Sequence, residues 1–329
     1  MGLHHALNLS SIREAQLVAI ADPDEKRAKR AVELTGVERW YSDPDQLIQQ
    51  RDVEAIIVAT PSDTHAKATL KVLEARKDVL CEKPLATDLR DADEVIEAVR
   101  ETGVKLQVGF MRRFDPAYAS AKKRIDDGVI GKPTIFTSNS RDPFPPPAWA
   151  CDPRKGGGLP IDMHSHDYDL ARWLMGSEVK RIYAEGETLV YNKIKEEIPE
   201  FVDNIVITLR FQNGALGAIT GSEHARYGHD IRTEVLGSEG GVHVGELKRL
   251  PVTVCTAQSI SNEETYKGNE EPHFVQRFQQ AYVDMVRYFA RCVRENIQPS
   301  PSGPDGRAAL QVALAVMESL KTAKPIELE

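Results

Sequence analysis

The first hundred residues alternate between short apolar runs and longer stretches whose apolar positions recur with helical spacing. Residues 16–21 form one run, closed by Asp22-Pro23, and a helical stretch follows to about residue 34. Residues 54–60 form a second run, and Ser62 or Asp63 is placed to cap the helix that leads to Ala75. Residues 78–81 are a third run ahead of a helix over about residues 89–100, and residues 104–108 are a fourth. Apolar strands without polar alternation, interleaved with helices, predict a parallel sheet covered on both faces. Right-handed crossovers then give a doubly wound domain of the dinucleotide-binding kind, over residues 1–108.

The pattern changes over residues 109–329, which read as a second domain. A helix is expected over about residues 116–127 and a strand over 133–140. The loop that follows carries three consecutive prolines, Pro145, Pro146 and Pro147, which exclude helix interior and central strand. Period-two patterns fill residues 181–190, 202–211, 215–223 and 231–236, with Asn213-Gly214 as a hairpin turn and residues 237–241 as another turn. Helical patterns over residues 274–294 and 304–323 end the chain, and the polar stretch 262–272 reads as a loop. The fold class is therefore α/β. A Rossmann-type doubly wound parallel sheet is followed by an α+β domain with a large, mostly antiparallel open sheet. Such a sheet, with one face uncovered, predicts an interface on that face.

Composition narrows the partners. The 329 residues carry a formal net charge of −8, and the basic residues are scattered. Nucleic acid and anionic membrane surfaces are thereby excluded as expected partners. Four widely spaced cysteines without C-x-x-C spacing, and no apolar run of transmembrane length, point to a reduced, cytoplasmic protein.

Candidate chemistry concentrates in residues 156–169, where Gly156-Gly157-Gly158 leads into Asp162, His164 and His166. If a helix opens near Asp162, then Asp162 and His166 stand one turn apart on one face. A carboxylate that orients an imidazole fixes its tautomer and raises its basicity. The pair thus reads as a general base with its partner. Asp162 as a plain helix cap, or Asp162, His164 and His166 as metal ligands, are the other readings of this segment alone. His164 is expected on another face and its loss to be tolerated.

The opening Met1-Gly2-Leu3-His4-His5 has the form of the tail of G-x-G-x-x-G, with Gly2 as its third glycine. The first strand and the first two glycines are absent from the sequence. The expectation is that upstream residues exist in the natural protein or that the phosphate site is weakened. Asp22 stands where a carboxylate accepts from ribose hydroxyls, and it would repel a 2′-phosphate. NAD is therefore expected over NADP.

Four segments stand together in order: Ala59 to His65, Glu82-Lys83-Pro84-Leu85, Gly109 to Asp115, and residues 156–169. On these the chain resembles the glucose-fructose oxidoreductase/inositol dehydrogenase (Gfo/Idh/MocA) family over nearly its whole length. It is most similar to the myo-inositol 2-dehydrogenase subgroup, which Met111-Arg112, the loop with Asp142, and Tyr227-Gly228-His229-Asp230 also support. The resemblance implies an NAD-dependent oxidoreductase acting on a secondary hydroxyl of a cyclic polyol or sugar, and a homo-oligomer, a dimer or tetramer, paired through the open sheet. Lys83 would contact both nicotinamide and substrate, behind a cis bond to Pro84. His166 would be the base and Asp162 its partner. Gly2, Asp22, Thr60, Pro61, His65, Glu82 and Lys83 are expected at the cofactor. Met111, Arg112, Asp142 and Tyr227 are expected at the substrate, with Trp149 as a further aromatic near it. Metal is not expected, since hydride transfer supplies the chemistry. An aldose or scyllo-inositol dehydrogenase with the same residues, and a non-catalytic sugar or dinucleotide sensor, are the alternatives.

Overall fold

Continuous apolar runs become parallel strands because both of their faces are buried. A computed structural model of the chain describes residues 1–152, 155–245, 254–255, 259–262, 264–267 and 274–328. It forms two units, Met1–Phe114 with Gln280–Arg307, and Asp115–Gln279 with Ala308–Glu329.

In the first unit β1 (Ile20–Ala21) pairs in parallel with β2 (Trp40–Tyr41). β3 (Ala55–Val58), β4 (Asp78–Cys81) and β5 (Leu106–Val108) form a second parallel sheet in that order. Val79, Leu80 and Cys81 of the central strand have no exposed surface. Asp24 and Asp88 cap the helices Glu25–Thr35 and Leu89–Thr102 by accepting backbone N–H bonds. Gly36 and Gly103 close the same helices in the left-handed conformation. The cap expected at Ser62 or Asp63 is replaced. Ser62–Thr64 form a tight 3₁₀ turn, and the helix His65–Glu74 starts behind Thr64 without a side-chain cap. The strand expected over residues 16–21 is confined to Ile20–Ala21, and Trp40–Tyr41 was not foreseen. Two-residue strands are too short to carry a readable period. The helix Gln279–Glu295 buries Ala281, Tyr282, Met285, Val286, Phe289 and Cys292 along one stripe. Gln107 Nε2 of β5 donates to the Met285 carbonyl at 3.3 Å.

The second unit is built on a seven-stranded sheet. Its strands are β6 (Pro133–Arg141), β7 (Val179–Glu187), β8 (Asn204–Phe211), β9 (Leu216–Ser222), β10 (Asp230–Gly237) and β11 (Gly241–Val244), with the C-terminal strand Ile326–Glu327 on the β7 edge. All neighbours are antiparallel except β6 and β9, which run parallel. Ile205, Ile207, Leu209 and Phe211 of β8 are buried, whereas Val206 is exposed, so one face is core and the other open. Asn213-Gly214 makes the β8–β9 turn, where Gly214 has φ +87° and Asn213 Oδ1 accepts from the Ala215 N–H. The strand β11 continues past the expected turn at 237–241. The stretch 262–272, expected as a loop, contributes to a small antiparallel sheet of β12 (Val254–Cys255), β13 (Ser259–Asn262) and β14 (Glu264–Lys267). Residue 263 and residues 268–272 of that stretch lie outside the described residues.

Candidate active site

Parallel pairing places the ends of β3 and β4 at one edge of the first unit, since Val58 stands opposite Cys81. Thr60-Pro61 and Glu82-Lys83 therefore leave the sheet at its carboxyl edge, where α/β sheets bind ligands. Asp22 follows the end of β1 in the same way. Its carboxylate accepts from the Asp24 N–H at 2.9 Å and from Arg27 at 3.0 Å. Gly2 opens the helix Gly2–Ser11, whose first turn has no side-chain cap and no acid, and no heavy atom lies within 4 Å of where a Cβ would stand. An uncapped helix start with open space beside it fits an anionic phosphate. An acid one strand away fits a ribose. The residues present are thus suited to a dinucleotide.

Two buried histidines hold this edge. His65 Nδ1 donates to the Pro84 carbonyl at 2.7 Å, and Nε2 reaches the Thr60 carbonyl at 2.8 Å. It ties the loop after β3 to the loop after β4, and the ring bridges both acceptors fully only when both nitrogens carry hydrogen. His5 was not foreseen. Its Nε2 donates to Glu82 Oε1 at 2.6 Å, with both side chains buried. Burial pushes the Glu82 carboxyl up, but the hydrogen bond and charge of His5, with the charges of Lys83 and His65, outweigh it and hold the group below the usual carboxylate range. Gly109 closes the packing, because a Cβ there would come within 2.8 Å of Glu82 Oε2. The Lys83 N–H contacts that oxygen at 3.3 Å, and the Lys83–Pro84 bond is cis. Met111 and Arg112 stand in a 3₁₀ turn after β5 and are 2% and 3% exposed.

In the second unit the sequence around Asp162 folds otherwise than as one regular helix. Leu159–Met163 form a π turn, and the α-helix begins only at Ser165 and runs to Met175. Gly157 and Gly158 enter the turn with φ +87° and +58°, and a Cβ on Gly157 would strike Ile161 at 2.3 Å. Asp162 lies in the wide turn, half-buried, and His166 in the first helical turn, 7% exposed. Single π turns of this kind recur at functional sites. His164 departs from expectation. It has no exposed surface, and its Nδ1 donates to Asp167 Oδ2 at 2.7 Å. Asp167 Oδ1 in turn accepts from Ser138 and Ser140 of β6, at 2.6 and 3.0 Å. A Cβ on Gly221 of β9 would fall 2.0 Å from His164 Nε2. His164 therefore anchors the helix to the sheet, and its replacement is a lesion in the core rather than a neutral change.

Asp142 follows β6, where its N–H donates to the Ser222 carbonyl and its own carbonyl accepts from the Ala225 N–H, both at 2.8 Å. His229 Nδ1 lies 2.9 Å from Asp142 Oδ1. Tyr227 donates to Asp230 Oδ2 at 2.9 Å, within a network that includes Arg141 and Arg232. Trp149 is half exposed, in the short helix Ala148–Cys151. Glu223, which sequence reasoning missed, is 2% exposed at the end of β9. Burial, then the charges of Asp142, Asp162 and Asp203, push its carboxyl up to about 9. Its only sequence signal was an acid directly after a buried strand. The Cys151 thiol feels Glu223 and Asp162 as well, and burial first of all raises it to about 12. Among the described residues no group of three or more His, Cys, Asp or Glu side chains is arranged to hold a metal ion.

Residues 1–110 match the oxidoreductase family with an NAD-binding Rossmann fold, and residues 118–243 match the GFO/IDH/MocA C-terminal domain. A scyllo-inositol 2-dehydrogenase (NAD(+)) from Bacillus subtilis is 38% identical over 100% of this chain and 94% of its own length. A myo-inositol 2-dehydrogenase from Thermotoga maritima is 37% identical over 100% and 96%. The crystal structure of a myo-inositol 2-dehydrogenase from Lactobacillus plantarum matches with a TM-score of 0.87 at 30% identity, over 99% of this chain and 96% of that one. With the parallel carboxyl edge, the Glu-Lys-Pro segment and the Asp162–His166 turn all present, the chain belongs to the Gfo/Idh/MocA family and is an NAD-dependent oxidoreductase of the CH–OH group of a sugar or polyol.

Proposed function

We propose that the protein oxidises a secondary hydroxyl of a cyclic polyol, with myo-inositol as its preferred substrate. NAD, when bound, supplies the hydride acceptor. His166 takes the hydroxyl proton as general base, and Asp162 orients it. Lys83 is assigned the role of a donor that steadies developing negative charge on a substrate oxygen. His5 and Glu82 hold the backbone that carries Lys83. Asp142, Tyr227, Met111 and Arg112 are assigned to the substrate, and Gly2, Asp22, Thr60, Pro61, His65 and Glu82 to the cofactor.

The observation that carries this reading is His166 itself. It is a buried imidazole in a first helical turn, preceded by an acid in a π turn and placed in the same unit as the acidic groups Asp142 and Glu223. A sensor that had lost catalysis would have no need of Lys83, Asp162 and His166 together. Scyllo-inositol is the second reading, supported by the Bacillus subtilis relative named for it.

The test is turnover of myo-inositol, scyllo-inositol and glucose with NAD. His166→Ala is expected to lower kcat by roughly 10²–10⁴, the scale of a lost general base, and Asp162→Asn by less. Full activity in His166→Ala refutes the assignment, and a clear preference for glucose moves the protein to the aldose dehydrogenases.

We assign the protein to the cytoplasm. Among the described residues no helix is long and apolar enough to cross a membrane. We also assign it a homo-oligomer built on the open sheet face. There Leu236, Ile135 and Leu216 stand side by side on adjacent strands, 42%, 39% and 46% exposed.

A further inference from the structure

Glu223 is out of place in the second unit. A carboxyl buried among other acids destabilises a fold unless something answers it. Its N–H is answered, by the Asp203 carbonyl at 3.1 Å. Its carboxyl Oε2 is buried and has no hydrogen-bond partner among the described residues. Asp203 beside it is fully employed. It accepts from the N–H groups of Leu189, Val190 and Tyr191 at 2.8–2.9 Å and from Asn204 at 2.6 Å. Asp142 brackets Glu223 through the backbone bonds to Ser222 and Ala225. Asp162, in the π turn, acts on it electrostatically. Glu223 thus stands among residues of the proposed site with an unanswered oxygen.

We propose that Glu223 and Asp142 form a subsite that binds a ring hydroxyl of the polyol other than the one oxidised. This rests on the polyol reading above and makes it more specific. A neutral carboxyl, unlike a carboxylate, has an O–H to donate, and a hydroxyl can accept it while donating its own proton elsewhere. Asp142, as a carboxylate, only accepts. A hydroxyl that donates to Asp142 and accepts from Glu223 satisfies both acids at once. A substrate without that hydroxyl leaves the buried Glu223 oxygen unanswered, which is the strongest form of discrimination a polar site has. The groups that face Glu223 keep it neutral. They are Asp142 after β6, Asp162 in the π turn and Asp203 before β8, and they act after burial, which is the largest cause; the Cys151 thiol in the short helix feels the charge of Glu223 in turn. His229 lies against Asp142 on its far side.

The test is calorimetric titration of the full chain with myo-inositol in saturating NADH, and with each monodeoxy-inositol in turn. Glu223→Leu is expected to weaken myo-inositol by about 10–100-fold, the scale of a lost buried hydrogen bond. For one monodeoxy isomer the unsubstituted protein and Glu223→Leu should bind alike, because the partner hydroxyl is already gone. A structural role for Glu223 would weaken all isomers equally, and that result overturns the proposal. So does unchanged affinity for myo-inositol. Glu223→Gln, which keeps a donor and an acceptor, is expected to recover most of the affinity. It also supplies an independent readout if the leucine variant fails to fold. The unsubstituted protein should lose affinity as pH rises through about 9, and Glu223→Gln should not. A shared alkaline limb overturns the proposal. Failure of the unsubstituted protein to bind any inositol overturns the polyol reading itself and is told apart by that.

Discussion

Replacing Glu223 with glutamine is expected to stabilise the free protein, by an amount that depends on pH. In the fold the carboxyl titrates at about 9, against an ordinary value of 4.5. The folded state therefore keeps its proton over a range in which the unfolded state releases it. Stability from this group is fully present below pH 4.5 and is lost progressively as pH rises from 4.5 to about 9. Each unit of pH in that window removes about 1.4 kcal/mol. At pH 7 the loss is about 3 kcal/mol, and above pH 9 it levels off near about 6 kcal/mol. Glutamine copies the protonated acid in shape and hydrogen-bonding capacity but does not ionise. The difference in unfolding free energy between Glu223→Gln and the unsubstituted protein should thus be under about 1 kcal/mol at pH 5 and about 3 kcal/mol at pH 7. The transition is best followed by tryptophan fluorescence in urea with Trp40→Phe in both proteins. The remaining tryptophans, Trp149 and Trp173, lie in the second unit. A difference that does not change between pH 5 and pH 8 refutes the reasoning. A variant less stable at every pH does the same.

Asp22→Ser should raise the use of NADP relative to NAD, since it removes the charge that opposes a 2′-phosphate; an unchanged ratio of kcat/KM values removes Asp22 from the ribose. Gly221→Ala should destabilise the second unit by about 1–3 kcal/mol, because the new methyl overlaps His164 Nε2, and His164→Ala should destabilise it through the lost bond to Asp167 Oδ2. Denaturant midpoints equal to the parent's would show that the helix is not anchored there. Ile135→Lys with Leu216→Lys should reduce the molecular mass in light scattering to that of one chain, and an unchanged mass places the interface elsewhere.

Much of the fold was legible because it depends on composition along short stretches. Asp78–Cys81 was readable to the residue, since its apolar run Val79-Leu80-Cys81 is bounded by the acids Asp78 and Glu82. The helices Glu25–Thr35 and Leu89–Thr102 were readable from their apolar spacing. Trp40–Tyr41 and Gly241–Val244 were not, because two to four residues define no period and their pairing depends on distant strands. The candidate site divides in the same way. Asp162 and His166 share a segment, so spacing alone proposes them as a pair, although the π turn replaces the regular helix that the spacing assumed. His5 and Glu82 lie 77 residues apart, and only tertiary packing joins them. His164 was misjudged for a related reason. Helical phase says that it faces away from His166, but only the sheet, through Ser138, Ser140 and Gly221, makes that other face the core.

Three acids in this chain show why residue type alone does not assign chemistry. Asp203 accepts three backbone N–H bonds and one from Asn204, and although burial opposes it, these donors hold it below the ordinary carboxylate range. Glu82 is also buried, and His5 outweighs burial and keeps it low. Glu223 is buried, its Oε2 has no hydrogen-bond partner among the described residues, and burial together with the charges of further acids drives it up. The first two are fixed anions that shape backbone, around residues 189–191 and around Lys83. The third has free energy left over that a ligand can recover. A site that binds a neutral polyhydroxylated ring gains from such a group, because a carboxylate accepts but cannot donate. The free energy that Glu223 withholds from folding is then available to distinguish a substrate by a hydroxyl that takes no part in the reaction.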